Sequence, residues 1–119
     1  MIQSTSLQLA KQLLNKQVKI VIDRPVNSTH PKWGFMYECN YGYVEGIMAP
    51  DGEELDAYLL NVNESVKEFS GTVVAIVHRT KDDDDKLVVV PDGTDIADSE
   101  IEKAVGFQEK WFEHEIVRS

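Results

Sequence analysis

Between residues 18 and 90 the hydrophobic pattern has a period of two, and it is interrupted so often that no strand can run long. Val18, Ile20 and Ile22 alternate with Lys19, Val21 and Asp23, and Pro25, which has no backbone N–H to donate, stops the run. Further strand patterns are expected over 35–39, 41–48, 56–62, 72–78 and 87–90. Pro50-Asp51-Gly52, a polar stretch over 63–71 and the acidic run 82–85 separate them. Short strands joined by close turns imply a small barrel or sandwich. Thr5-Ser6-Leu7-Gln8 and Ser99-Glu100-Ile101-Glu102 read as capping boxes, opening helices over about 5–15 and 99–115. Ile101, Ala104, Val105, Trp111 and Phe112 are the apolar stripe expected to lay the second helix on the strands. The fold class is α+β with β dominant, in one domain over 1–119.

Inside this pattern lies a concentration of charge, Asp51-Gly52-Glu53-Glu54-Leu55-Asp56-Ala57, with Asn40-Tyr41-Gly42-Tyr43 upstream. Two carboxylates held 4 Å apart repel by roughly 4 kcal/mol at an effective dielectric near 20. A solvated acidic turn escapes that cost by splaying its side chains, whereas a metal site uses it. Mg²⁺ takes oxygen ligands and keeps waters that a phosphate can displace. Asp82-Asp83-Asp84-Asp85 is a second acidic turn, to be read either as a solvated charge run or as a second source of ligands.

Composition removes several function classes. A net charge of −9 argues against nucleic acid, whose binding rests on cationic contact with phosphates. No apolar run reaches the roughly 18 residues of a membrane span, and the N-terminus lacks a secretion-signal pattern. Cys39 is the only cysteine, so no internal disulfide forms, which fits a cytoplasmic protein. His30, His78 and His114 show no paired spacing for zinc.

Asn-Tyr-Gly-Tyr, a spacer, then Asp-Gly-acid-Glu-Leu-Asp-Ala resembles the signature of the soluble family I inorganic pyrophosphatases, departing only at its third position, where Glu53 replaces Asp. Asp84-Asp85-Lys86 with the following Leu87-Val88-Val89-Val90-Pro91 is similar to that family's second acidic loop and strand. Val21-Ile22-Asp23-Arg24-Pro25 with Lys32 is similar to its first strand and a phosphate-binding lysine, and Trp111-Phe112-Glu113-His114 to the start of its C-terminal helix motif. The resemblance runs from about Val18 to His114.

It implies a five-stranded OB-like barrel flanked by helices, and Mg²⁺-dependent hydrolysis of pyrophosphate, with Mn²⁺ as an alternative metal. Asp51, Asp56 and Asp84 match metal ligands, with Asp82 or Asp83 as a further one; Lys32, Tyr37, Tyr41 and Lys86 match residues around the phosphate. Glu53, at the position of the base, is the catalytic candidate together with Tyr41 and Lys32, and Asp23 stands where the family has a glutamate. The resemblance also implies a homo-oligomer. Tyr37 and Tyr41 as half-buried strand aromatics, and Lys86 as a surface counter-charge, are the plainer alternatives.

The departures fall on the phosphate clamp. From Lys32 the chain passes through Trp33 and Gly34 straight to Phe35, without the family's hairpin and its arginine, and Glu115 and Ile116 replace a Tyr-Lys pair. Each lost charge-assisted contact is worth about 1.5–3 kcal/mol. A catalytically silent binding module, or a hydrolase for a different phosphoanhydride, is therefore the second reading.

Overall fold

A computed structural model describes residues 5–48, 54–81 and 84–119. The elements run α1 (Thr5–Gln12), β1 (Gln17–Arg24), β2 (Asn40–Met48), β3 (Glu54–Leu59), β4 (Glu68–Arg79), β5 (Lys86–Val90), α2 (Asp98–Glu109) and β6 (His114–Val117). The strand order is β1-β2-β3-β5-β4, and β1 pairs with β4 as well as β2, so five strands close into a mixed barrel of OB type. Among the described residues only β3 and β5 run parallel. The twelve-residue β4 makes closure possible: residues 68–72 pair with β1, 72–77 with β5, and 76–79 with the extra strand β6.

Alternation sorts side chains into two cores. Ile20, Val44, Leu55, Ala57, Leu59, Leu87 and Val89 fill the barrel, and the intervening Tyr58, Leu60, Val88 and Val90 face Ile101 and Val105 of α2. Because β5 is buried on both faces, Leu87-Val88-Val89-Val90 reads as an unbroken apolar run. A bulge between Val73 and Ala75 shifts β4 by one residue, so that Val73 and Ile76 point into the barrel while Ala75 and Val77 point toward α2. The barrel is tight at Gly42, where an added Cβ would lie 1.8 Å from the carbonyl oxygen of Val21.

Several expectations are corrected. The first helix ends at Gln12, and Asn15, at φ 65°, turns the chain so that its N–H reaches Val73 O at 2.7 Å. Residues 35–39 form no strand: Met36 makes one isolated bridge with Thr29, and the amides of Asn27 and Tyr37 bond within the same loop. The C-terminal helix stops at Glu109 rather than near 115, and His114–Val117 instead pairs with β4. Trp111 and Phe112 thus leave the helical stripe, with Trp111 71 % exposed. The cap also moves, since α2 starts at Asp98 with Ala97 as N-cap, whose N–H donates to Glu100 Oε1 at 3.2 Å. The first capping box moves as well, since Thr5 to Gln8 already lie inside α1. Among the described residues no helix is long and apolar enough to cross a membrane.

Candidate functional site

The face of the barrel that turns toward α2 also carries the chemistry. Asp56 shares a face of β3 with Tyr58, Lys86 a face of β5 with Val88, and Arg79 ends β4 two residues beyond Val77. Tyr41 lies opposite Tyr58 in the β2–β3 register, with ring centroids 5.0 Å apart. Period two thus gathers side chains distant in sequence onto one patch beside the end of the helix.

Lys86 is its centre. The side chain is 3 % exposed, and Nζ donates to Asp56 Oδ2 at 3.0 Å and to Asp84 Oδ1 at 2.8 Å. The Tyr41 ring lies 5.6 Å from the ammonium. Burial pulls its pKa down, but Tyr41 and the two carboxylates outweigh burial and raise it above the ordinary lysine value, so the site holds a fixed positive charge. Burial pushes the Tyr41 hydroxyl up, and it stays protonated as a donor. Asp23, also raised by burial against the opposing pull of Arg24, lines the same cavity.

A second cation, Arg79, was not recognised in the sequence. Its Nε and Nη2 donate to Glu109 at 2.9 and 2.8 Å, and Nη1 donates to Asp84 Oδ2 at 2.9 Å. Among the described residues these bonds use three of the five guanidinium donors. Tyr58 OH donates to Glu109 Oε2 at 2.6 Å and accepts from Gln108 Nε2 at 2.7 Å. Burial would raise the Glu109 pKa, but hydrogen bonds from Arg79 and Tyr58 win and hold it below the usual carboxylate range. The available signal was periodic: Glu109 continues the buried row Ile101, Val105, where an apolar residue is expected.

Lys86, Tyr41, Asp56, Asp84, Arg79 and Gln108 line a cavity of about 820 Å³, with Tyr58 and Glu109 behind its wall. Among the described residues, Arg24, Arg79, Lys86 and Lys110 share its wall with Asp23, Asp56 and Asp84, four cations and three carboxylates in a chain of net charge −9. The structure thus brings Tyr37, Tyr41, Asp56, Asp84 and Lys86 together. Lys32 is not part of the lining; it sits on an exposed loop with Nζ 4.9 Å from the Trp33 ring centroid. Glu115 and Ile116 lie in β6, also outside the lining. Asp51, Glu53, Asp82 and Asp83 fall outside the described residues.

Two carboxylates on one cavity wall are the oxygen donors a hard divalent cation takes, so the set fits Mg²⁺ in kind. Among the described residues no third Asp, Glu, His or Cys completes a cluster with them. Asn40, the first residue of the aromatic-glycine run, is structural. Its fully buried amide accepts from Val26 N–H at 3.0 Å and donates to Val62 O and Glu64 O at 3.1 and 2.9 Å. That anchors the 25–39 loop, which supplies Tyr37 to the cavity. Cys39 is buried in the core toward α2, its thiol pushed up to about 12 by burial, and is no nucleophile.

No family model and no curated protein matches the sequence. Solved structures do. The chain is similar to inorganic pyrophosphatase from Ehrlichia chaffeensis, at TM-score 0.66 and 19 % identity over 86 % of this chain and 85 % of that one. It is similar to the enzyme from Helicobacter pylori at 0.65 and 16 % identity, covering 87 % and 85 % of the two chains. The inorganic pyrophosphatase from Thermus thermophilus matches at 0.59 and 19 % identity, over 85 % and 80 %. At these identities the shared property is architecture, and on that ground the chain carries the inorganic pyrophosphatase fold in a strongly diverged sequence.

Proposed function

We propose that the protein is a cytoplasmic, Mg²⁺-dependent hydrolase of phosphoanhydrides, with inorganic pyrophosphate as its default substrate. The observation that carries this reading is the convergence of Asp56, Asp84 and Lys86 in one cavity of a pyrophosphatase-type barrel. Asp56 and Asp84 would hold the metal, with Asp51 and Asp82 or Asp83 as further ligands, and Mn²⁺ could replace Mg²⁺. When bound, the metal supplies charge neutralisation and a water of lowered pKa.

The chain's own groups do the rest. Lys86 and Arg79 hold the phosphate oxygens, where developing negative charge is stabilised most in a site shielded from water. Lys86, now bonded to Asp56 and Asp84, would be released toward the substrate where those carboxylates held a metal. Tyr41 and Tyr37 donate hydroxyls from the aromatic wall. Glu53 accepts the proton of the attacking water, and Lys32 adds a cation if its loop folds inward. Arg79 takes over part of the clamp that the shortened loop after Lys32 removes.

Phosphate release from pyrophosphate, followed while Mg²⁺ and Mn²⁺ are titrated to millimolar concentration, tests the reading. Turnover that rises with metal and vanishes with chelator is expected; no release at any metal concentration overturns it. A silent binding module is the second reading, favoured by the fact that both oxygens of Asp84 are already bonded to Lys86 and Arg79.

Self-association is part of the proposal, since the resemblance to the pyrophosphatase family implies a homo-oligomer. Light scattering at micromolar concentration should give a mass above the 13.5 kDa of one chain. A lone monomer under those conditions refutes it.

A further inference from the structure

The cavity is far larger than its charged floor requires. Pyrophosphate is a compact anion with no apolar surface, and the Lys86 end already offers what it needs. A volume of about 820 Å³ is in the range that encloses an organic ligand. The rest of the wall is aromatic, and it is continuous with the floor. His30 is 6.5 Å from Trp33 and 4.8 Å from Phe35, Phe35 is 5.4 Å from Tyr37, and Tyr37 is stacked 5.6 Å from Tyr41, all between ring centroids. That track begins at an exposed tryptophan and ends at the buried ammonium.

The rim repeats one combination. Lys32 lies over Trp33 at 4.9 Å and Lys110 over Trp111 at 5.0 Å. Trp33 and Trp111 are 69 % and 71 % exposed, and they are the only two tryptophans in the chain. Large rings left in water at the mouth of a cavity, each beside a cation, suit a ligand that has both a flat π-system and negative charge.

We propose that the site takes a phosphoanhydride bearing an aromatic heterocycle, a nucleoside 5′-diphosphate or 5′-triphosphate, with the base stacked on the Trp33 and Trp111 side and the phosphates at Lys86 and Arg79. This rests on the hydrolase reading only for the reaction. For a diphosphate, water would form a bond to the terminal phosphorus and the bridging P–O bond would break. One water proton goes to a carboxylate and the bridging oxygen leaves on the nucleoside monophosphate, giving that product and phosphate. Stacking accepts any base, so purine and pyrimidine nucleotides should bind within about tenfold of one another.

Binding can be read without turnover, from the fluorescence of the two tryptophans. The whole chain is titrated, with Mg²⁺ present, with the methylene-bridged analogue of adenosine 5′-diphosphate, and separately with methylenediphosphonate. Saturable quenching by the nucleotide analogue at an affinity at least about tenfold tighter than the diphosphonate is expected, since a tenfold ratio corresponds to about one stacked ring. Trp33→Leu and Trp111→Leu, both exposed and each leaving one fluorophore, should shrink that ratio by about three- to tenfold. Equal affinity for the two analogues, or a ratio unmoved in both variants, overturns the inference. Hydrolysis of pyrophosphate with equal affinities leaves the hydrolase reading standing and removes this one. Tight nucleotide binding without hydrolysis of nucleotide or pyrophosphate supports the ligand class and removes the hydrolase.

Discussion

Arg79, the last residue of β4, bonds twice to Glu109, the last residue of α2, through Nε at 2.9 Å and Nη2 at 2.8 Å, and the Glu109 side chain is fully buried. This pair fixes the end of the helix to the end of the strand, and so holds one wall of the cavity. Removing one partner of a buried ion pair costs about 3–5 kcal/mol, and here, among the described residues, Arg79 would keep only Asp84 while two of its donors and the Tyr58 hydroxyl lose their acceptor. Glu109→Leu should therefore lower the melting temperature by at least about 10 °C. A change of only a degree or two in a calorimetric scan would show that the pair does not hold the fold.

Metal binding should appear as stability. Mg²⁺ binding to Asp56 and Asp84 in the folded chain stabilises it by mass action, about 2.7 kcal/mol at a hundred times the dissociation constant. Millimolar Mg²⁺ or Mn²⁺ is expected to raise the melting temperature, and Asp56→Asn to remove most of the rise. An unchanged melting curve with either metal would exclude this site as a metal centre.

Glu53 is proposed as the proton acceptor, one methylene longer than the aspartate in the signature that the sequence resembles. Glu53→Gln preserves size and removes the base, so metal-dependent phosphate release should fall about 100-fold or more. Glu53→Asp should retain or increase activity. Unchanged activity in Glu53→Gln would assign the base elsewhere, with Asp23, a carboxyl raised by burial in the cavity wall, as the next residue to replace.

His114 gives a pH dependence that can be worked out in sign. Its Nε2 lies 2.6 Å from Glu102 Oε1, linking β6 to α2. Burial lowers its pKa, but the Glu102 hydrogen bond and the Phe112 carbonyl outweigh this, so the folded value lies above the ordinary 6.5. A raised folded pKa contributes stability that is fully present below 6.5 and lost as pH rises through the folded value. Glu102 is about half exposed, so screening limits the pair to about 0.5 kcal/mol. His114→Gln should melt about 2–4 °C lower than the parent at pH 5.5, with the gap closing by pH 8.5. A gap that widens with pH would contradict the assignment.

How much could be read in the chain depended on how local the cause was. β1 was legible because Val18, Ile20 and Ile22 alternate and Pro25 ends the pattern, all within eight residues. Tyr41, Asp56, Asp84 and Lys86 were legible because a short motif carried each, and they share one cavity. The stretch 35–39 looks equally strand-like, yet the Tyr37 amide and the Phe35 and Tyr37 carbonyls find partners inside their own loop. His114–Val117 looked like the continuation of a helix until the last residues of β4 offered an edge with unmet hydrogen bonds.

The sequence by itself determined the strand alternation and the acidic and aromatic motifs, since these follow from neighbours along the chain, and the barrel was implied by the resemblance that those motifs carry. Only the tertiary structure decided that Arg79 meets Glu109, thirty residues away, that Lys32 rests on Trp33 outside the cavity lining, and that Trp33 and Trp111 line the same cavity. Such pairings depend on where closing the barrel puts each strand end, and no local pattern encodes that distance.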